Sequence, residues 1–187
     1  MNSRFSSILL TLALAVPCTN AQQPRGIADA VNNLADQPAT RIEFSLDRSQ
    51  LQSAEDSYLY GGTSHHNAAL YGITVYTFHY SRPVFYTPEV MAQIVNTYHA
   101  AGWQHLVNVN ATPEQSASPA APITDMWLHF SGMEIDNVTV LVRAQREMNL
   151  IQISCLLQPL DLLHLSGHFG IPKVDPSAVM VPAPDGR

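Results

Sequence analysis

The sequence predicts an α+β fold: a two-layer sandwich with a single mostly antiparallel sheet and helices packed on one face. Three observations carry this. Leu70–Tyr80 holds Val75, Tyr76, Phe78 and Tyr80, a run of high β-propensity. Thr87–Gly102 follows it with the marks of an amphipathic helix. Near the C-terminus, Met126/Leu128/Phe130, Val138/Val140/Val142 and Ile151/Ile153/Cys155 alternate with other residues. The segments joining these three runs, Met133–Asp136 and Gln145–Met148, are long enough only for hairpins, so the strands they join are antiparallel.

Taken in order, the chain begins with an address. In Met1–Ala21 the only charge is Arg4, and an apolar run spans Ile8 to Val16. Thr19-Asn20-Ala21 supplies small or permissive residues before Gln22, as a secretory signal peptide requires. The run is too short to cross a bilayer as a retained helix, which takes about 20 residues. Export to a periplasmic or extracellular location follows, with trimming of residues 1–21. A lipoprotein anchored through Cys18 is the minor alternative, and Pro17 disfavours it because a small residue belongs just before a lipidated cysteine.

Ile27, Val31 and Leu34 share one side of a weak helix that Pro38 ends. Arg41–Leu46 alternates as a half-buried strand, and Asp47 caps a short helix through Arg48–Ser53. Ser57–Asn67 reads as a loop. In the long strand, Thr74, Tyr76, Phe78 and Tyr80 form the expected core side. In the helix, Thr87 is the N-cap, Pro88 sits at N1 and Glu89 faces the positive end of the dipole. Val90, Met91, Ile94, Val95 and Tyr98 make its apolar stripe, and Gly102 stops it. Trp103–Val109 reads as a strand and Asn110–Pro122 as a linker without structure of its own. Pro159 opens a last helix that buries Leu162 and Leu165 and stops at Gly167. Residues 22–172 thus form a single domain, and 173–187 a Pro-rich disordered tail.

Composition excludes several function classes. The formal net charge is −6, and loss of Arg4 with the leader makes it −7, which argues against nucleic acid or an anionic membrane surface as the main partner. Lys173 is the only lysine and lies in the tail, so the domain has no lysine for a Schiff base, a P-loop or a Ser-x-x-Lys nucleophile. Of two cysteines, Cys18 leaves with the leader, so Cys155 has no disulfide partner within the mature chain.

The Gly102-Trp103 junction, the following β-meander, and a last strand running into a short helix and Phe169-Gly170-Ile171-Pro172 are similar to the DUF4252 family of exported bacterial proteins. The resemblance covers Ile27 to Pro172. It implies a small α+β domain in the cell envelope, and it brings no activity and no catalytic residues. Two departures stand out: Cys155 where the family tends to have glycine, and Gly61-Gly62 and His65-His66 in a segment that is usually helical in the family.

No constellation points to catalysis. Gly-x-Ser-x-Gly is missing, Cys155 reads as a packed thiol, and Glu134 and Asp136 lie in a turn. Eight histidines raise metal binding as an alternative, with His65 and His66 as its residues. His164 and His168 stand four apart with Gly167 between them, and solvated histidines account for both pairs better. No cofactor is expected. If helices cover the Met126/Leu128/Phe130 and Val138/Val140/Val142 side, then Trp127, His129, Thr139, Leu141, Arg143 and Gln152 line an exposed sheet face. An aromatic, an arginine and a leucine among neutral polar groups suit a recognition surface. The expectation is therefore a non-catalytic exported envelope protein that binds a protein partner through Trp127, His129, Leu141, Arg143 and Gln152.

Overall fold

The computed structural model describes residues 23–52, 69–107, 112–158 and 179–181. Its elements run α1 (Ile27–Asn32), β1 (Thr40–Asp47), β2 (Ala69–His79), α2 (Pro88–Ala100), β3 (Gln104–Val107), α3 (Pro113–Ala117), β4 (Ile123–Ser131), β5 (Glu134–Arg143), β6 (Glu147–Leu157) and β7 (Val179–Val181). The strands form one seven-stranded sheet in the order β1-β2-β6-β5-β4-β3-β7. Every pairing in it is antiparallel. This is the expected α+β architecture.

Local chemistry accounts for the boundaries. Gly102 and Gly132 adopt φ of 83° and 67°, the left-handed region that side chains disfavour, where α2 ends and where β4 turns into β5. Asp47 closes β1 and opens the helical residues 48–52. Its Oδ1 accepts from the Gln50 backbone N–H at 3.0 Å while Gln50 Oε1 accepts from the Asp47 N–H at 3.0 Å, a reciprocal cap. α3 was not expected within Asn110–Pro122. Thr112 accepts from the Gln115 N–H and the Gln115 side chain answers to the Thr112 N–H, with Pro113 at N1, so the T-x-x-Q pattern forms a capping box.

Through β4, β5 and β6 the sheet is buried on both faces. Directly opposed residues of an antiparallel ladder share a face. One row runs Tyr76–Leu150–Leu141 and another Thr74–Gln152–Thr139–Trp127–His105. This side packs under α1 and α2, where Ile27, Val31, Ile94 and Tyr98 join Phe78, Trp127, Leu141, Met148 and Leu150 in one core. The opposite side is a second core of Ile73, Met126, Leu128, Val138, Val140, Ile151, Ile153 and Cys155, onto which Leu51 folds from the helical residues 48–52.

Three expectations are corrected here. The helices cover the Trp127/Leu141 side rather than the Met126/Val140 side. Strand β1 is exposed on both faces, with only Leu46 partly buried, instead of half-buried. Within the expected disordered tail, Val179–Val181 pairs with β3 as strand β7. The leader with Cys18, the loop Ser57–Asn67 with His65 and His66, and the segment from Pro159 with Leu162, His164, Leu165, His168 and Phe169–Pro172 lie outside the described residues.

Candidate functional site

Two features stand out chemically: a polar network sealed beneath the helices, and the edge strand β1. The network takes shape because three neighbouring strands turn polar residues to the helix face. Arg143, 2% exposed, ends β5, and its guanidinium donates from Nη2 to Asp125 Oδ2 at 2.8 Å and from Nη1 to the Ser116 carbonyl at 2.7 Å. Asp125 Oδ1 faces His105 Nε2 at 3.1 Å. The Tyr86 ring lies 5.6 Å from the guanidinium carbon, and its hydroxyl donates to the Ala144 carbonyl at 2.7 Å. Burial pushes the Asp125 carboxyl up, yet the His105 hydrogen bond and the Arg143 charge outweigh it and hold the group below the usual carboxylate range.

An aromatic stack continues from this network. The His105 ring lies parallel to Trp127 at 4.7 Å, and Trp127 stacks on Tyr98 at 4.7 Å. Trp103 meets Tyr98 edge-on at 5.1 Å and lies 5.4 Å from the His129 ring. His129 Nδ1 is 2.7 Å from Asp136 Oδ1. At the other end of the stack, the Tyr98 hydroxyl donates to Gln23 Oε1 and Gln23 Nε2 donates to Thr139 Oγ1, each at 2.8 Å.

The sequence-based binding residues therefore come together as a face, but as an inner one. Trp127, Leu141 and Arg143 are 1%, 0% and 2% exposed, and His129 and Gln152 are only partly exposed, so the expected open recognition surface is instead the core beneath α1 and α2. The physical reason is that two apolar sets alternate on each strand. Trp127, Leu141, Met148, Leu150 and Phe78 become one continuous aromatic-rich layer only once the strands are in register. Asp125, which bridges Arg143 and His105, and His105 itself were not singled out from the sequence. The signal was available, since Asp125 is the one carboxylate in the strand Ile123–Ser131 and directly precedes Met126-Trp127-Leu128.

The His105–Asp125 pair has the form of an acid–base dyad, but among the described residues no hydrogen-bond partner faces His105 Nδ1. The single described cysteine, Cys155, belongs to the opposite core, 2% exposed, and burial pushes its thiol up to about 12. At neutral pH it is protonated and packed. Among the described residues no group of three His, Cys, Asp or Glu side chains could hold a metal ion. No described helix is long and apolar enough to cross a membrane.

Strand β1 is the opposite case. It ends the sheet order, and no described strand pairs with its outer edge. Ile42 and Phe44 are 55% and 54% exposed. On the helix-side face, Arg41 and Glu43 pair with each other at 3.1 Å, and Arg41 lies 4.5 Å over the Tyr76 ring. An open ladder with exposed apolar residues on one side and charges on the other is able to accept a further strand.

No family model, no curated protein and no solved structure matches the chain.

Proposed function

We propose that this protein is an exported, non-catalytic binding module of the cell envelope that engages a protein partner through the edge of β1. The observation that carries the reading is the eight-residue edge strand, exposed on both faces, with Ile42 and Phe44 in water. An unpaired edge strand presents a row of free backbone N–H and C=O groups that templates pairing with another chain. A partner strand would complete the backbone hydrogen bonds of β1, and the alternating Ile42 and Phe44 would supply side-chain selectivity. The leader-like Met1–Ala21 supports the envelope location, and the acidic chain supports a protein rather than a nucleic-acid partner. The resemblance to DUF4252 proteins belongs to the same proposal. It rests on Gly102-Trp103 and on the order of elements that follows.

A photoreactive amino acid at position 44, in the full chain expressed in its host envelope, tests this. The expected result is a discrete protein adduct at position 44 and none at Met133, an exposed residue of the β4–β5 turn. Absence of an adduct at position 44 refutes the docking edge. Intact-mass analysis tests the address: a chain beginning at Gln22 agrees with it, and a lipidated Cys18 at the N-terminus refutes trimming at Ala21.

A further inference from the structure

We infer that the strand added to β1 is β1 of a second copy, giving an antiparallel two-fold dimer with one sheet continuous across it. This rests on the reading of β1 as the docking edge and deepens it by naming the occupant.

On the face away from α1 and α2, one row runs Phe44–Val75–Ile151–Val140–Met126–Leu106. A second runs Leu46–Ile73–Ile153–Val138–Leu128. Both are buried through β6, β5 and β4, and the first runs off the molecule at Phe44. A two-fold axis perpendicular to the sheet keeps this face on the same side in both copies, because opposed residues of an antiparallel pair share a face. Such an axis passes through one residue of β1, which then meets itself.

Charge selects that residue. An axis at Glu43 sets Glu43 against Glu43 of the second copy, and an axis at Ser45 sets Glu43 against Asp47. Both put like charges directly opposite, which destabilises a ladder. An axis at Ile42 brings Arg41 opposite Glu43 but pairs only Thr40–Phe44 and leaves Leu46 uncovered. An axis at Phe44 pairs all of Arg41–Asp47. Arg41 then faces Asp47, Glu43 faces Ser45, Ile42 faces Leu46, and the two Phe44 rings meet. Every charge then faces an opposite charge or a neutral partner, and every apolar residue an apolar one. The Phe44 rows of the two copies join end to end. Asp47 remains compatible with its helix cap, because the Ser49 and Gln50 bonds both use Oδ1. Arg41 exchanges an exposed contact with Glu43, of the kind that contributes little, for a cross-strand pair with Asp47.

Cysteine scanning in the full chain, with Cys18→Ser to remove the leader thiol, reads the register directly. Under mild oxidation Phe44→Cys is expected to form a disulfide-linked dimer, and Ile42→Cys and Glu43→Cys are not. Sedimentation equilibrium of the chain with Cys18→Ser alone is expected to give twice the chain mass. Arg41→Glu and Phe44→Asp are each expected to raise the dimer dissociation constant by about tenfold or more. Both positions are exposed, so circular dichroism and the melting transition of the monomer verify that each variant is folded. A monomeric chain at the highest soluble concentration, cross-linking strongest at 42 or 43, or dimers unaffected by both charge and Phe44 variants overturns the inference. In the envelope experiment, a position-44 adduct with a different protein overturns the second copy while keeping the docking edge; no adduct at all overturns both.

Discussion

Replacing Trp127 with alanine removes the middle ring of the His105–Trp127–Tyr98 stack from a site that is 1% exposed. A buried tryptophan removes about 150–250 Å² from water, and at about 25 cal/mol per Å² its transfer is worth about 4–6 kcal/mol. Stacking against two rings adds about 0.5–1.5 kcal/mol for each pair. Against this, Trp127 Nε1 has no hydrogen-bond partner among the described residues, and removing an unsatisfied buried donor returns about 1–3 kcal/mol. With partial collapse of the cavity, the net cost is expected at about 3–5 kcal/mol. For a domain of this size that lowers Tm by about 6–20 °C. Urea unfolding followed by far-ultraviolet circular dichroism measures it. Trp127→Phe separates the contributions, because it keeps a ring in the stack and deletes the unsatisfied donor, and its cost is expected to stay below about 1.5 kcal/mol. A cost below about 1 kcal/mol for Trp127→Ala is what a solvent-facing site would give, and it would refute the burial of this face beneath α1 and α2.

Asp125 gives an acid-dependence with a definite sign. Its folded pKa lies below the unfolded value of about 3.9, so its stabilisation is complete above that value and is lost as pH falls through the folded one. Asp125→Asn is expected to flatten the acid limb of stability measured by denaturant titration, and to cost about 3–5 kcal/mol at neutral pH by stranding Arg143; an unchanged acid limb counts against the network. Ile153→Ala, in the opposite core, is expected to cost about 2–5 kcal/mol in the same assay, and a cost near zero would mean that this face is open. Thr112→Ala removes the α3 cap and is expected to cost about 1 kcal/mol, with no loss showing that the capping box is not formed in solution. Native Cys155 is expected to resist alkylation at neutral pH until the chain is unfolded, and rapid labelling of folded protein would contradict its packing.

Much of the fold was legible because it follows from local rules. Pro88 at N1 with Gly102 as the stop delimited α2, and alternation delimited β4, β5 and β6. Burial of Ile151, Ile153 and Cys155 followed from the same alternation. What local rules do not contain is which of two apolar faces a helix will choose, since that depends on rows assembled across strands. Trp127, Leu141 and Met148 are unremarkable within their own strands and form a layer only through the register linking β4, β5 and β6. β1 misled for a related reason. Its alternation is that of a half-buried strand, but a strand at the end of a sheet is buried only if something lies over it. The Thr112–Gln115 box was readable, and the proline and serine content around it concealed it.

The sheet order has a kinetic consequence. β4, β5 and β6 form a meander of neighbours in sequence, whereas β2 meets β6 through partners 68 to 87 residues apart, from His79↔Glu147 to Ala69↔Leu156. That seam alone joins the β1–β2 pair to the rest of the sheet. Closing so long a loop costs entropy before any seam contact forms, and such nonlocal pairing places folding in the millisecond-to-second range. A growing chain therefore holds β1 and β2 without their neighbour until Leu157 has emerged. During that interval the Ile42 and Phe44 edge is open on a strand pair with no core behind it.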